Sequence, residues 1–440
     1  MSYALHRNLR KNPPHAVKGD GAYLIDDSGK RYLDASGGAA VSCLGHSHPA
    51  IIEAIQQQVA SLPYAHTSFF TTGVLEELAE TLVKGAAGMG KVLLLSGGSE
   101  TVEAALKLSR QYFLEAGEPK RHLFIARRQS YHGNTLGALA VGGNEWRRES
   151  FRPLLVAGHH IAPCFEYRER SNEETREEYC ERITRELEDK IIELGAENVA
   201  GFVAETVVGA TAGAVTAVPG YFARVREICD RYGIHLILDE VMCGTGRTGS
   251  MMAYEQEHIT PDMVTMAKGL AAGYQPVGAL LCTSRISETI RNGSGYFQHG
   301  HTFMGHATAV AAALAAQKVI RDEDLLSNVV TRGKAIRTEL RTALANHPHV
   351  GDVRGRGMFI GVEFVRDRET KEPFDPTEKL HNKVQLEAMD RGLLCYGMGG
   401  TIDGQRGDHV LLAPPYNLGD TEQGELVNTF VAAVAAGLPS

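Results

Sequence analysis

The chain has 440 residues, 43% of them hydrophobic, enough for a large buried core and, at about 150 residues per domain, for more than one lobe. Its net charge is −8 and no window concentrates lysine and arginine, which argues against nucleic acid as a partner. Seven cysteines without CxxC spacing indicate neither a disulfide framework nor a zinc site; with no apolar signal-peptide core in the opening residues and no convincing membrane span, a cytoplasmic, reduced protein is expected.

In chain order, residues 19–36 read as a hairpin, with Tyr23, Ile25 and Tyr32 alternating around an Asp-Asp-Ser-Gly-Lys turn. Pro49 is expected to open a helix. His46 and His48 lack a further ligand nearby and read as a turn before that helix instead of a metal site. Residues 64–72, YAHTSFFTT, are aromatic and uncharged, so they are either core or pocket lining, with Phe69 and Phe70 as candidate substrate-binding residues. GAAGMGK at 85–91 is nearly a P-loop. Val92 stands where the magnesium-binding hydroxyl belongs, and the glycines precede a strand instead of following one.

The apolar run 91–95 is followed by SGGSE and an amphipathic pattern. Strand, Gly-Ser loop and helix present backbone N–H groups and the positive end of a helix to a phosphate. A strand over 122–127 leads to a Gly-rich loop carrying Tyr131, whose ring could stack on a flat partner. Ser171 and Glu174 fit a capping box, with Tyr179, Ile183, Leu187, Ile191 and Leu194 at helical spacing and Gly195 as the stop. Another buried strand, 199–206, carries Glu205 near its end.

The decisive stretch is 234–281. One apolar run stops on Asp239 and Glu240, and a second stops on Lys268, so two buried strands can deliver an acid and an amine to one crevice. Three readings fit the pair. The charges emerge into solvent; or LILDE is the magnesium site of an NTPase; or the lysine condenses with an aldehyde, in particular pyridoxal phosphate, with Asp239 at the pyridinium nitrogen. Beyond it, His299 and His301 alternate without a third ligand at helical spacing, a small-residue helix follows, and the final portion from LLCYGM at 393 onward reads as a separate α+β lobe.

Taken in order, GHSHP, SGGSE, YHG, AET, LDEVMCGTGRTG, AKGLAAGYQPVGA, HGHTFMGH, RGRGMFIGVEF and a late arginine before PP resemble the class III pyridoxal-phosphate-dependent aminotransferases, the ω-aminotransferase group, over nearly the whole chain. The resemblance implies an α/β fold-type-I architecture, with a mostly parallel central sheet in a large domain plus a smaller α+β domain. Residues 1–60 would contribute to the small domain, 61–325 form the large cofactor domain and 326–440 the C-terminal small domain. It implies pyridoxal 5′-phosphate as cofactor, bound as a Schiff base to Lys268. Asp239 would hold the ring nitrogen protonated, Val241 and Tyr131 would flank the ring, and Gly98 and Ser99 would bind the phosphate, with His132 and Glu205 also at the cofactor. Thr302 would reach the phosphate of a neighbouring subunit, in a homodimer with shared active sites. Arg406 corresponds to the arginine that binds the substrate carboxylate, the lesser reading being a solvated loop arginine. Ala210 stands where relatives that use 2-oxoglutarate tend to carry a glutamate, which implies an acceptor such as pyruvate. The implied reaction moves an amino group from an amine or an ω- or β-amino acid to a keto acid. Its rivals are a decarboxylase or aminomutase on the same scaffold and, remotely, a nucleotide-binding ATPase.

Overall fold

Seven strands form the central sheet of the computed structural model, which describes residues 3–439. Their spatial order is Lys91–Leu95, Gly278–Cys282, Met263–Met266, His235–Asp239, Val199–Glu205, Leu123–Arg127 and His159–Ile161. Gly278–Cys282 runs antiparallel to both neighbours, and the other pairings are parallel. A parallel sheet is covered on both faces, which is why its strands are continuous apolar runs; all five residues of His235–Asp239 are buried. Parallel strands also end along one edge. The register sets Asp239 opposite Glu205 on one side and Thr265 on the other, so the strand-end side chains converge there.

The helix Gly98–Glu115 starts just beyond Leu95 and buries Val102, Ala105, Leu108 and Tyr112 along one face. Pro49 opens the helix Pro49–Ser61, where its missing N–H costs nothing. The helix Arg176–Leu194 departs from expectation at its start. Ser171 and Glu174 do exchange the two hydrogen bonds of a capping box, but Thr175 and Glu178 form a second one, and the helix begins from it. Gly195, at φ 78°, terminates it as expected.

The near-P-loop lies at the amino end of Lys91–Leu95, whereas the crevice lies at the carboxyl end of the sheet. Its glycines serve packing: a Cβ on Gly88 would stand 2.3 Å from the Thr260 methyl carbon. Further on, Val350–Arg356, Phe359–Phe364, Asp408–Leu412 and Tyr396–Gly399 form an antiparallel sheet. The N-terminal hairpin strand Arg31–Asp34 pairs in parallel with Leu393–Leu394, joining the two ends of the chain.

His46 and His48 have separate carboxylate partners, Asp34 and Glu323, each at 3.2 Å. All seven cysteines are free and buried. No helix among the described residues is long and apolar enough to cross a membrane.

Candidate active site

Three sheet strands and one helix end surround a cavity of about 440 Å³. Lys268 stands two residues past the strand Met263–Met266, on the first residue of the 3₁₀ turn Lys268–Ala271. Its φ of 49° is left-handed, a conformation a non-glycine residue adopts only when its surroundings impose it. Burial lowers the pKa of its amine, and the carboxylates of Asp239 and Glu205 oppose that shift. A lysine with depressed basicity beside acids is suited to act as a nucleophile or a proton carrier.

Asp239 is fixed from three sides. The Val241 N–H and the Thr265 hydroxyl donate to Oδ1 at 3.0 and 3.3 Å, and His132 Nδ1 meets Oδ2 at 2.8 Å. An ionised carboxylate only accepts, so His132 donates from Nδ1. Its Nε2 is buried without a hydrogen-bond partner among the described residues. Glu205 holds the neighbouring loops: its oxygens accept from the Tyr131 N–H at 3.1 Å and the Gly209 N–H at 2.7 Å, while burial raises its pKa. His132 and Glu205 therefore orient Asp239 and Tyr131, contacts that linear motifs do not reveal.

Opposite Lys268 the helix Gly98–Glu115 presents its amino end. Its first intrahelical bond runs from the Thr101 N–H to the Gly97 carbonyl, and Gly97 supplies no side-chain cap, so the earlier amides remain available to an anion. Gly98 must lack a side chain, since a Cβ there would come within 2.9 Å of Val241 Cγ1. Ser99 Oγ is held by Asn134, donating to its side-chain oxygen at 2.8 Å and accepting from its N–H at 3.0 Å.

Residues 6–434 match the family described as aminotransferase class-III. The chain belongs to the class III aminotransferases. An aminotransferase of Schizosaccharomyces pombe is 42% identical over 443 residues, covering 100% of this chain and 96% of its own. The taurine–pyruvate aminotransferase of Bilophila wadsworthia is 34% identical, covering 88% and 85%. Among solved structures, an amine transaminase from an uncultivated Pseudomonas species, in its PLP-bound form, matches with a TM-score of 0.91 at 35% identity, covering 99% of this chain and 96% of that one. The fold is accordingly that of the fold-type-I transaminases.

Class III aminotransferases depend on pyridoxal 5′-phosphate, and that is the cofactor of this enzyme. The cavity fits it chemically. It combines an open helix end for the phosphate, a fixed carboxylate, a lysine of lowered basicity, and a glycine floor that a Cβ would obstruct.

Of the residues singled out in the sequence, Gly98, Ser99, Tyr131, His132, Glu205, Asp239, Val241 and Lys268 line this one cavity. Four do not. Phe69 and Phe70 are 78% and 69% exposed, Thr302 is exposed, and Arg406 is exposed with its Nε bound to Asp403 at 2.6 Å. Ser96, Gly97, Gln275 and Pro276 also line the cavity and were not singled out. Their signal was present: Ser96 and Gly97 open the Gly-Ser loop, and Gln275-Pro276 closes the AKGLAAGYQP run.

Proposed function

We propose that this aminotransferase moves an amino group from an amine or an ω- or β-amino acid to a keto acid, with pyruvate as acceptor. One observation carries the reading: the Lys268 amine shares a cavity with an Asp239 carboxylate immobilised by His132, Val241 and Thr265, facing a helix end suited to phosphate.

When bound, pyridoxal phosphate supplies an electron-withdrawing ring that acidifies the carbon–hydrogen bond beside a donor's nitrogen. The rest falls to the protein. Asp239 would hold the ring nitrogen protonated, the amides at Gly98 and Ser99 would hold the phosphate, and Tyr131 and Val241 would flank the ring. Lys268 Nζ would take the proton from the donor carbon and give it up on the cofactor's carbon at the other side of the donor nitrogen, a task that lowered basicity favours.

Pyruvate is supported by position 210. Ala210 offers no carboxylate to neutralise a nearby arginine, and its carbonyl lies 2.9 Å from His409 Nε2. The similarity to a taurine–pyruvate aminotransferase points the same way. In this reading Arg406 exchanges Asp403 for the keto acid's carboxylate. The enzyme would work in the cytoplasm as a homodimer, with residues 1–60 and 326–440 forming a small domain beside the large domain 61–325.

The test is a visible spectrum of the purified holoenzyme, titrated with amine and amino acid donors alone and then with pyruvate or 2-oxoglutarate. Loss of the cofactor's imine band with a donor and its return with pyruvate is the expected result. Release of carbon dioxide, or an isomerised amino acid without the band cycling, would mean decarboxylation or mutation instead. Lys268→Ala should abolish turnover; activity surviving it would remove the proposal.

A further inference from the structure

A second cavity, of about 630 Å³, shares Tyr131 and Gly133 with the first. Trp146, Phe151 and Leu154 give it an apolar wall, and Arg7 and Arg147 give it positive charge. Arg147 differs from the arginines beside it. Arg148 binds Glu145 at 2.6 Å and Arg152 binds the same carboxylate, whereas Arg147 has no carboxylate partner among the described residues. Its guanidinium lies 4.5 Å from the centre of the Tyr131 ring and 5.5 Å from that of Trp146. Its Nε is buried without a hydrogen-bond partner.

Arg147 is half-buried; even partial loss of water from a cation without a counter-ion is unfavourable, and the two aromatic faces offset that only partly. The planar fork of an arginine matches an oxyanion, and here the fork is left open. Its field reaches Lys268, where it works against the protonated amine. Arg406, by contrast, already has Asp403.

We infer that Arg147 recognises the distal anionic group, a carboxylate or a sulfonate, of an ω-amino donor, with Arg7 adding to the attraction and the apolar wall receiving the intervening methylenes. This rests on the transaminase reading above for the donor's other end. It separates two anion-binding duties: Arg406 for the keto acid, Arg147 for the donor.

Trp146 is the single tryptophan of the chain, so its emission reports on this cavity independently of turnover. The holoenzyme is titrated with 3-hydroxypropanoate and isethionate, unreactive anions lacking an amine, and with propanol as the neutral control. Both anions, or one of them, should change the emission saturably while propanol does not. Arg147→Met should weaken that response roughly 10- to 100-fold and Arg147→Lys should recover part of it. The same variants are then assayed for loss of the cofactor band with β-alanine, taurine and butylamine. Arg147→Met should weaken the anionic donors by the same factor and butylamine by no more than about 3-fold. A response to one anion only identifies carboxylate or sulfonate as the natural group. Equal losses for all three donors would overturn the proposal and reduce Arg147 to a support for Tyr131. Anions that leave the wild-type emission unchanged, or that bind Arg147→Met as tightly, would also overturn it. If the anions saturate the Trp146 signal but no donor moves the cofactor band, the anion site stands and the transaminase reading falls.

Discussion

Asp239 has three neighbours committed to its carboxylate, which is more than stability alone requires of a strand-end acid. Preorganisation of this kind matters most where charge must be held during a reaction. Asp239→Asn keeps the shape but removes the charge, so kcat should fall by at least roughly 100-fold while cofactor is retained. Steady-state rates beside the visible spectrum would decide it, and near-normal kcat would place the ring nitrogen elsewhere. Asp239 and Lys268 were readable in the sequence because each ends an apolar run. What each side chain touches was not. His132 reaches Asp239 from a loop more than a hundred residues earlier, and Glu205 holds the backbone of Tyr131 across the sheet edge. Arg147 carried no signal at all, because an unpaired arginine differs from a paired one only through its surroundings.

Among the elements, the strand Asp408–Leu412 bears on the site through His409, which is wholly buried. Its Nε2 donates to the Ala210 carbonyl, and its Nδ1 meets the Thr401 hydroxyl at 2.7 Å, which donates to it while the ring is neutral. Burial, helped by the Arg354 guanidinium, pushes its pKa down to about 3. An unfolded chain takes up this proton near pH 6.5, so the contribution is present above that value and is lost as the pH falls toward 3. Between pH 7 and pH 5 the loss should be about 2 kcal/mol. His409→Gln, which keeps a donor for Ala210, should remove that share of the pH dependence in urea unfolding; an unchanged dependence would mean that the folded imidazole is already charged. Element boundaries show where local pattern stops being informative. Ser171-Glu174 and Thr175-Glu178 both fit a capping box and both form one, yet only the second opens the helix, along whose face Tyr179 and Ile183 are buried.

At the scale of the whole molecule, Phe69, Phe70 and Phe303 are exposed by 78%, 69% and 58%, and Thr302 lies beside Phe303 on the same surface. Aromatic side chains gathered on a surface are what a second copy would cover. Light scattering should therefore give twice the 47.7 kDa mass of the chain. Shared sites make a sharper expectation. Lys268→Ala and Thr302→Asp should each be inactive alone, yet mixed dimers of the two carry one site with both native residues and should recover activity. Failure to recover would mean that Thr302 serves no neighbour. The α/β class and the cofactor edge of the sheet were legible from the alternation of apolar runs and amphipathic segments. The strand order was not, because Lys91–Leu95 finds its partner in Gly278–Cys282 across most of the large sheet's sequence.

The pairing of Arg31–Asp34 with Leu393–Leu394 also has a meaning in time. On a ribosome adding about 5–20 residues per second, the N-terminal hairpin emerges roughly 20 to 70 seconds before its parallel partner exists. The central sheet, complete once Cys282 has been made, can fold during that interval. The outer edge of Arg31–Asp34 stays unpaired until Leu393–Leu394 has been made, so this strand is among the last to acquire its full set of neighbours.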